Sequence, residues 1–217
     1  MRLILPFLLL AGLLPFSAGC TPVGVLVGAG AVAGSTALEE RGMQQSLTDT
    51  GTALSFRRDV IEEDFETFQR VGVIVVEGRM LLTGVVPEEQ DRIRLVERAW
   101  SRPDVVEVIN EILIGEDVGI LNTGYDVKIE QELNLALTLD REIKAVNYES
   151  DAVGGTLYLI GIAQSQAELD RVVAHARDVE RVRRVISHVQ VKDSPARRET
   201  LERLAEIQAA EDGSETQ

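Results

Sequence analysis

The hydrophobic and polar positions of this chain follow one pattern twice. The stretch GRMLLTGVVPEEQ at residues 78–90 has its counterpart in GTLYLIGIAQSQA at residues 155–167, which lies 77 residues further on. The same shift continues without a gap over two stretches of 66 residues, Asp49–Ile114 and Asp126–Val191. These stretches, the first and the second copy, predict two repeated structural units.

Each copy is predicted to run helix, strand, strand, helix, strand. In the opening helix of the second copy, Ile129, Leu133 and Leu137 are four residues apart and form one stripe for burial. The equivalent positions of the first copy are Thr52, Phe56 and Val60. The second helix carries its apolar stripe at Leu95, Val96 and Ala99 in the first copy and at Val172, Val173 and Ala176 in the second.

Two strands, near Val71–Val76 and Arg79–Val85, are predicted to be joined by a tight turn at Glu77-Gly78. The equivalent turn of the second copy, Gly154-Gly155, supplies the positive φ that two-residue hairpins favour. A third strand with alternating polarity follows the second helix. In the first copy, Val106, Val108 and Asn110 lie on one predicted face and Val105, Ile109 and Ile112 near the other.

A three-stranded sheet of this size needs a helical layer on one face to bury enough apolar surface. Two helices per copy provide that layer, so the pattern predicts an α/β (α+β) fold with two tandem domains. Gly84 and its counterpart Gly161 are expected to let the second strand turn closely over the following helix.

A further helix is predicted after the second copy. It begins at Ser194-Pro195, stops at Gly213 and has an apolar stripe at Leu201, Leu204 and Ile207. Two interpretations of this stripe stay open: it docks on one of the copies, or it awaits a partner helix.

The N-terminus has the pattern of an export signal. A short positive start precedes an apolar stretch at residues 3–16, which is too short for a spanning helix of about 20 residues, and small residues follow. Cleavage after Gly19 would leave Cys20, the single cysteine of the chain, as the mature N-terminus. Residues 18–20, Ala-Gly-Cys, resemble the lipobox of bacterial lipoproteins, although Ser17 replaces the usual aliphatic residue.

The resemblance implies that Cys20 carries a diacylglycerol on its sulfur and a further acyl chain, such as palmitate, on its amine. Each buried CH₂ contributes roughly 0.8 kcal/mol, so several chains hold a protein firmly on a bilayer. Thr21 in place of an aspartate implies sorting to the outer membrane, with the protein facing the periplasm. Residues 23–38 are apolar and uncharged; they are either a flexible tether or a glycine-mediated contact within the membrane or with a partner.

Composition disfavours several classes of function. The chain has 22 Lys and Arg against 36 Asp and Glu, a net charge of −14, which disfavours nucleic-acid binding. One cysteine and two histidines, His175 and His188, exclude an internal disulfide and a cysteine- or histidine-rich metal site. Both histidines are expected to be solvent-exposed, and Trp100 is expected to pack under the Pro103 turn. No nucleophile–base pair or phosphate loop is apparent, so the chain is predicted to be no enzyme and to need no cofactor.

The copies resemble the BON domain, an α/β module of bacterial envelope proteins. The resemblance rests on LLTG (81–84), LIG (159–161), PEEQ (87–90) and VVEVINEI (105–112). Together with the lipobox it extends to outer-membrane lipoproteins with two BON domains, whose inter-domain connection resembles NEILIGEDVG (110–119). It implies two tandem BON domains, each α-β-β-α-β with a three-stranded sheet covered by two helices, plus the C-terminal helix.

This organisation predicts five regions. They are a signal peptide at 1–19, the lipidated cysteine and a Gly/Ala-rich tether at 20–45, BON domains at 46–115 and 116–192, and the C-terminal helix with a polar tail at 193–217.

The resemblance also implies a lipid-binding surface on the opening helix of the second copy. In the family, an aromatic residue and basic neighbours of this helix meet anionic phospholipid; here the aromatic position holds Lys128. Tyr125 lies one turn earlier, and Leu135 and Leu139 lie off the buried stripe. The formal charge from Asp126 to Leu137 is −2, because three acids stand against one lysine. An alternative basic face, for which a solvated, salt-bridged surface is the competing interpretation, comprises Arg177, Arg181, Arg183 and Arg184.

Two functional hypotheses follow. In the first, the chain is a lipid-anchored periplasmic protein that supports outer-membrane integrity by binding anionic phospholipid or envelope proteins, without nucleic acid. In the second, it is an adaptor with no lipid recognition beyond its anchor. Its copies would then pack on each other and present the C-terminal helix to an outer-membrane assembly machine.

Overall fold

The structure, a computed structural model, describes residues 41–115 and 119–215. Cys20, the signal peptide and almost all of the predicted tether lie outside the described residues. Within the described ranges, no helix is both long enough and apolar enough to cross a membrane.

Both copies have the predicted order of helices and strands, with small additions. The first copy comprises α1 (Met43–Glu63), α2 (Phe65–Phe68), β1 (Gly72–Val76), β2 (Arg79–Thr83), β3 (Val85–Val86), α3 (Glu89–Trp100), β4 (Glu107–Asn110) and β5 (Leu113–Ile114). The second comprises α4 (Gly119–Leu139), a 3₁₀ turn (Ala145–Asn147), β6 (Tyr148–Val153), β7 (Thr156–Ala163), α5 (Gln166–Asp178) and β8 (Arg184–Val191), and α6 (Pro195–Glu215) follows. Helix α1 therefore begins within the stretch predicted as tether, and α6 continues past Gly213, where it was predicted to stop.

The two three-stranded sheets share one topology. Strand β2 pairs antiparallel with β1 and parallel with β4, and β7 pairs in the same way with β6 and β8. In the first copy the ladder breaks after Thr83, so β3 and β5 form a separate two-stranded sheet, whereas β7 runs unbroken to Ala163.

Gly84 and Gly161 are required by a close backbone approach, but not to the helix that was expected. Both have positive φ, 110° and 150°. A Cβ at Gly84 would overlap with the carbonyl oxygen of Arg70, and one at Gly161 with that of Asn147. These carbonyls immediately precede the first strand of each sheet, so the glycines let neighbouring strands meet where the ladder ends.

The first matched pair of the repeat, Asp49 and Asp126, explains why each hairpin closes. Both are buried. The Asp126 carboxylate accepts the backbone N–H groups of Gly154 and Gly155 at 2.8 and 2.9 Å. Asp49 does the same for Glu77 and Gly78 at 2.8 and 3.1 Å. Each opening helix is thus tied to the turn that follows it.

Each copy has its own hydrophobic core between sheet and helices. The predicted helix stripes are buried in these cores, including Phe56, Leu95 and Ala99 in the first and Ile129, Leu133 and Val172 in the second. The predicted faces of the third strand were partly wrong. Val108 packs against the first core, whereas Ile109 points to the opposite side of the sheet.

The sheets of the two copies face each other and bury a third apolar cluster. Its fully or largely buried members are Val76, Leu81, Ile109, Tyr158, Ile160 and Ile162. Polar contacts surround it. The Thr83 hydroxyl donates a hydrogen bond to the Asp151 carboxylate, and Arg79 donates one to the His188 carbonyl at 2.9 Å. The side chains of Glu111 and His188, equivalent positions of the repeat, meet at 2.9 Å. A contact between equivalent residues is what an approximate two-fold relation produces.

We expect Asp126→Ala to destabilise the protein by roughly 1–3 kcal/mol, because two turn N–H groups lose their acceptor. Urea unfolding at pH 7 measures the change. Glu202→Ala, at an exposed position of α6, is the control and should shift the midpoint little. Equal effects of the two substitutions would contradict this role for Asp126.

Candidate functional site

The predicted lipid-binding residues form one exposed stripe along α4. Tyr125, Lys128, Leu135 and Leu139 are separated by three, seven and four residues, which places them on one side of the helix. The exposed fractions of Tyr125, Leu135 and Leu139 are 41%, 60% and 72%. The stripe from Tyr125 to Leu139 is roughly 21 Å long at 1.5 Å per residue. Tyr125, Leu135 and Leu139 therefore expose large apolar side chains to solvent and are not part of the hydrophobic core.

Lys128 lies in this stripe but its charge is already compensated. Its ammonium group is 3.0 Å from Glu180 and 3.2 Å from Glu132. The hydrogen bond to Glu180, followed by that to Glu132, raises the pKa of Lys128. Lys128 therefore stays charged but contributes little positive potential to the surface.

The acids of α4 contribute less negative charge to this surface than their number suggests. Asp126 is buried against the hairpin turn. Burial, then the nearby charges of Asp151 and Asp126, raise the pKa of Glu130 to about 7, although it accepts the Ala152 N–H. The pair between Glu132 and Lys128 is already included in the formal count of −2, so the reduction comes from the partial ionisation of Glu130 near neutral pH. The formal count of −2 therefore overstates the repulsion that an anionic surface would meet.

Tyr125 also connects α4 to the alternative basic face. The Arg181 guanidinium lies over the Tyr125 ring, 3.9 Å from its centroid, in a cation–π contact. Arg181 has a positive φ of 72°, a left-handed conformation that non-glycine residues rarely adopt. Arg183 lies beside it and donates to the Gly154 carbonyl at 2.7 Å. A cavity of about 300 Å³ between Tyr125, Arg181, Arg183 and the turn is open to solvent.

The two predicted sets are thus brought together only in part. Tyr125, Arg181 and Arg183 share one cavity, and Lys128 reaches the same loop through Glu180. Arg177 lies in the last turn of α5 and Arg184 begins β8; both are exposed, but neither lines this cavity. Leu135 and Leu139 extend the surface along α4.

A carboxyl group between the copies was missed by the sequence analysis. Asp151 accepts the Thr83 hydroxyl of the first copy and lies beside Glu130. Both carboxyls line a cavity of about 410 Å³ that residues of both copies enclose. Burial raises the pKa of Asp151. The repeat held a signal for this group, because Asp151 stands where the first copy has Ile74, which packs against the apolar cluster between the sheets.

Both histidines were wrongly expected to be solvent-exposed. His188 lies between the copies, where it contacts Glu111. His175 is half-buried and hydrogen-bonded to Asp140 at 2.8 Å. His175 and Arg171 hold the pKa of Asp140 well below its usual range.

The ion pairs of Asp140 with its basic neighbours have an equivalent in the first copy. In the first copy, the equivalent acid, Glu63, contacts Arg94 at 3.3 Å and also pairs with Arg98.

Among the described residues, no group of three or more His, Cys, Asp or Glu could hold a metal ion.

Trp100 was wrongly expected to pack under a turn. It ends α3 and is 53% exposed. Ile93, seven residues earlier on the same side of α3, is 38% exposed. The second copy has Arg177 and Asp170 at these positions, so this apolar surface belongs to the first copy alone.

Comparisons with known proteins agree with the observed fold. The BON domain family model matches residues 49–116 and 125–193, which is more than half of the chain. The chain therefore belongs to the BON domain family. It is 40% identical over 132 residues to an uncharacterised protein of Anaplasma centrale, covering 60% of this chain and 87% of that one.

A second relative is the outer membrane lipoprotein DolP of Haemophilus influenzae. It is 27% identical over 163 residues, covering 73% of this chain and 82% of DolP. Among solved structures, the C-terminal domain of CdsD of Chlamydia trachomatis aligns with 15% identity and a TM-score of 0.25. That alignment spans 63% of each chain and is too weak to support an argument.

We expect stability to fall as the pH rises through the pKa of Glu130. A folded-state pKa of about 7, above the ordinary 4.5, means that Glu130 contributes stability below about pH 4.5 that is lost as the pH approaches and passes 7. Glu130→Gln keeps an acceptor for Ala152 and cannot ionise. The variant should therefore melt ~2–4 °C above the wild type at pH 8 and like the wild type at pH 4.5. Thermal unfolding from pH 4.5 to 8.5 tests this. A constant difference at every pH would contradict it.

Proposed function

We propose that this protein is a lipid-anchored, periplasmic BON-domain protein that supports outer-membrane integrity by binding anionic phospholipid through its second copy. The observation that carries the proposal is the contact between Tyr125 and Arg181. It joins the aromatic and apolar stripe of α4 to a cationic loop, so that one continuous surface has both properties.

The chemistry of this surface fits a phospholipid headgroup. Helices at membrane interfaces insert apolar side chains while cations meet phosphate. Tyr125, Leu135 and Leu139 supply the apolar part, and Arg181 and Arg183 supply the cations. Because Asp126 is buried and Glu130 has a pKa of about 7, the acids of α4 oppose this approach less than the formal charge suggests.

The membrane anchor and the location rest on other support. The lipobox-like stretch at Ala18-Gly19-Cys20 supports lipidation of Cys20 by a diacylglycerol and a further acyl chain. The similarity to DolP, an outer membrane lipoprotein, supports a place at the outer membrane. An anchor keeps the protein near the bilayer, so a weak second contact suffices to hold α4 against the membrane.

A second function is favoured by the exposed surface of Ile93 and Trp100. Exposed tryptophan is typical of protein interfaces, and the second copy is polar at both equivalent positions. This supports an adaptor that binds an envelope protein through its first copy. The C-terminal helix presents the stripe of the adaptor hypothesis only in part, because Leu204 is buried against the first copy whereas Leu201 is 39% exposed.

Lipid binding is tested by sedimenting residues 40–217 with neutral and with anionic vesicles. We expect binding to anionic vesicles only. Leu135→Ala and Tyr125→Ala should each weaken it about fivefold, since ~1 kcal/mol of apolar insertion is lost. Arg181→Glu should weaken it roughly 10–30-fold, because an attraction becomes a repulsion. Lys128→Glu, at a compensated position, should have a smaller effect.

Matched controls separate this surface from general effects. Leu47 of the first copy is about as exposed as Leu135, and Arg203 of α6 is about as exposed as Arg181. The control variants are Leu47→Ala and Arg203→Glu. They should leave vesicle binding unchanged. If the folded wild type binds neither vesicle, Cys20 alone reaches the membrane and the lipid proposal is wrong.

The adaptor function is tested by placing a photo-crosslinking amino acid at Trp100 in cells. We expect a discrete crosslinked protein at this position and none at the equivalent Arg177. Crosslinks of equal yield at both positions would indicate random encounters and would contradict a specific partner site.

A further inference from the structure

The C-terminal helix α6 is seated on the protein through one stripe of side chains. Arg197, Thr200 and Leu204 are 7%, 6% and 6% exposed. Thr200 accepts from Gln190 of β8 at 3.1 Å, and further along Gln208 donates to Gln45 of α1 at 3.3 Å. The helix therefore leaves the second copy and continues across the first.

The strongest of these contacts is a buried ion pair with the hairpin turn of the first copy. The Nε and one Nη atom of Arg197 donate to the Glu77 carboxylate at 3.0 and 2.7 Å, and the other Nη donates to the Lys192 carbonyl at 3.1 Å. Glu77 is 2% exposed and has a φ of 52°, a conformation that suits glycine. The second copy has Gly154 at this position. The first copy thus keeps an unfavourable residue in its turn, and that residue binds the helix.

Leu204 occupies the remainder of the same turn surface. A Cβ added to Gly78 would lie 2.7 Å from Leu204 and 2.8 Å from the Asp104 carbonyl. In the second copy, the equivalent Gly155 is covered by Arg183 instead of a helix residue, and Arg181 and Arg183 line a cavity beside it that is open to solvent. Arg181 stands where the first copy has Asp104. The two equivalent surfaces therefore differ in charge, and the acidic one on the first copy suits an arginine-bearing helix.

We propose that the hairpin-turn surface of the first copy is a helix-binding site, and that its ligand is the chain's own C-terminal helix. Recognition requires an arginine for Glu77 and a leucine seven residues later, on the same helix face, for the groove beside Gly78. The bound helix contacts both copies and holds the first copy against the end of the second. On the first copy it covers the turn whose equivalent on the second copy is covered by Arg183.

Hydrogen exchange of the full chain tests the site with two complementary variants. Arg197→Ala removes the helix side of the ion pair. Glu77→Gly removes the other side and gives the turn the residue of the second copy, so turn strain cannot explain its effect. In both, we expect the amides of residues 197–208 to lose protection at least about tenfold. Residues 76–79 should also lose protection, while the equivalent turn at 153–156 should not change.

Arg203→Ala is the matched control, because Arg203 pairs with Glu199 on the exposed side of α6. It should leave α6 protected. Unchanged protection of α6 in both test variants would overturn the proposal. So would an equal loss in the turns of both copies, since that would reflect general destabilisation.

A peptide tests whether the surface is a binding site and not only a covalent continuation. A synthetic peptide of residues 194–215, added in excess to the Arg197→Ala chain, should restore protection at residues 76–79. The same peptide with Arg197→Ala should not. If neither or both restore protection, the claim of a specific helix-binding site is wrong.

Discussion

The structure depends on covering the second face of each three-stranded sheet. One face of each sheet lies under its own two helices, but the other carries large apolar side chains, among them Leu81, Ile109 and Tyr158. Exposed faces of this kind would leave contiguous apolar patches that soluble monomers rarely tolerate. Each copy therefore serves as the missing layer of the other. The copies are packed directly on each other through their sheets, which leaves the helices that cover each core on the outer side.

This arrangement allows two nearly equivalent copies to take different roles. At the hairpin turns, the first copy has Glu77 and Asp104, whereas the second has Gly154 and Arg181. The acidic turn holds α6 through Arg197, and the basic loop remains open beside Tyr125. Because the backbone fold is shared, these few substitutions and not the topology decide which surface is filled.

The repeat and its periodicity predicted the helices, strands, turns and core stripes, because these are set by residues close in sequence. They did not predict which residues of the two copies meet, since a shift of 77 residues relates the copies without showing how they pack. His188 was misjudged for this reason: within its own copy it is a surface residue, but Glu111 and Arg79 of the other copy contact it. The Tyr125–Arg181 contact joins residues from different elements, which no local pattern connects.

The electrostatics of α4 show why formal charge is a poor guide to surface charge. Asp126 counts as an acid in the composition, but its carboxylate accepts hydrogen bonds from two backbone N–H groups. These groups need an acceptor in any folded copy. Glu130 lies near Asp151, and two buried carboxyls close together disfavour full ionisation. The packing of the copies thus lowers the effective negative charge of the helix. With Arg181 and Arg183 on the adjoining loop as its cations, an acidic chain can in this way present a locally cationic, apolar surface.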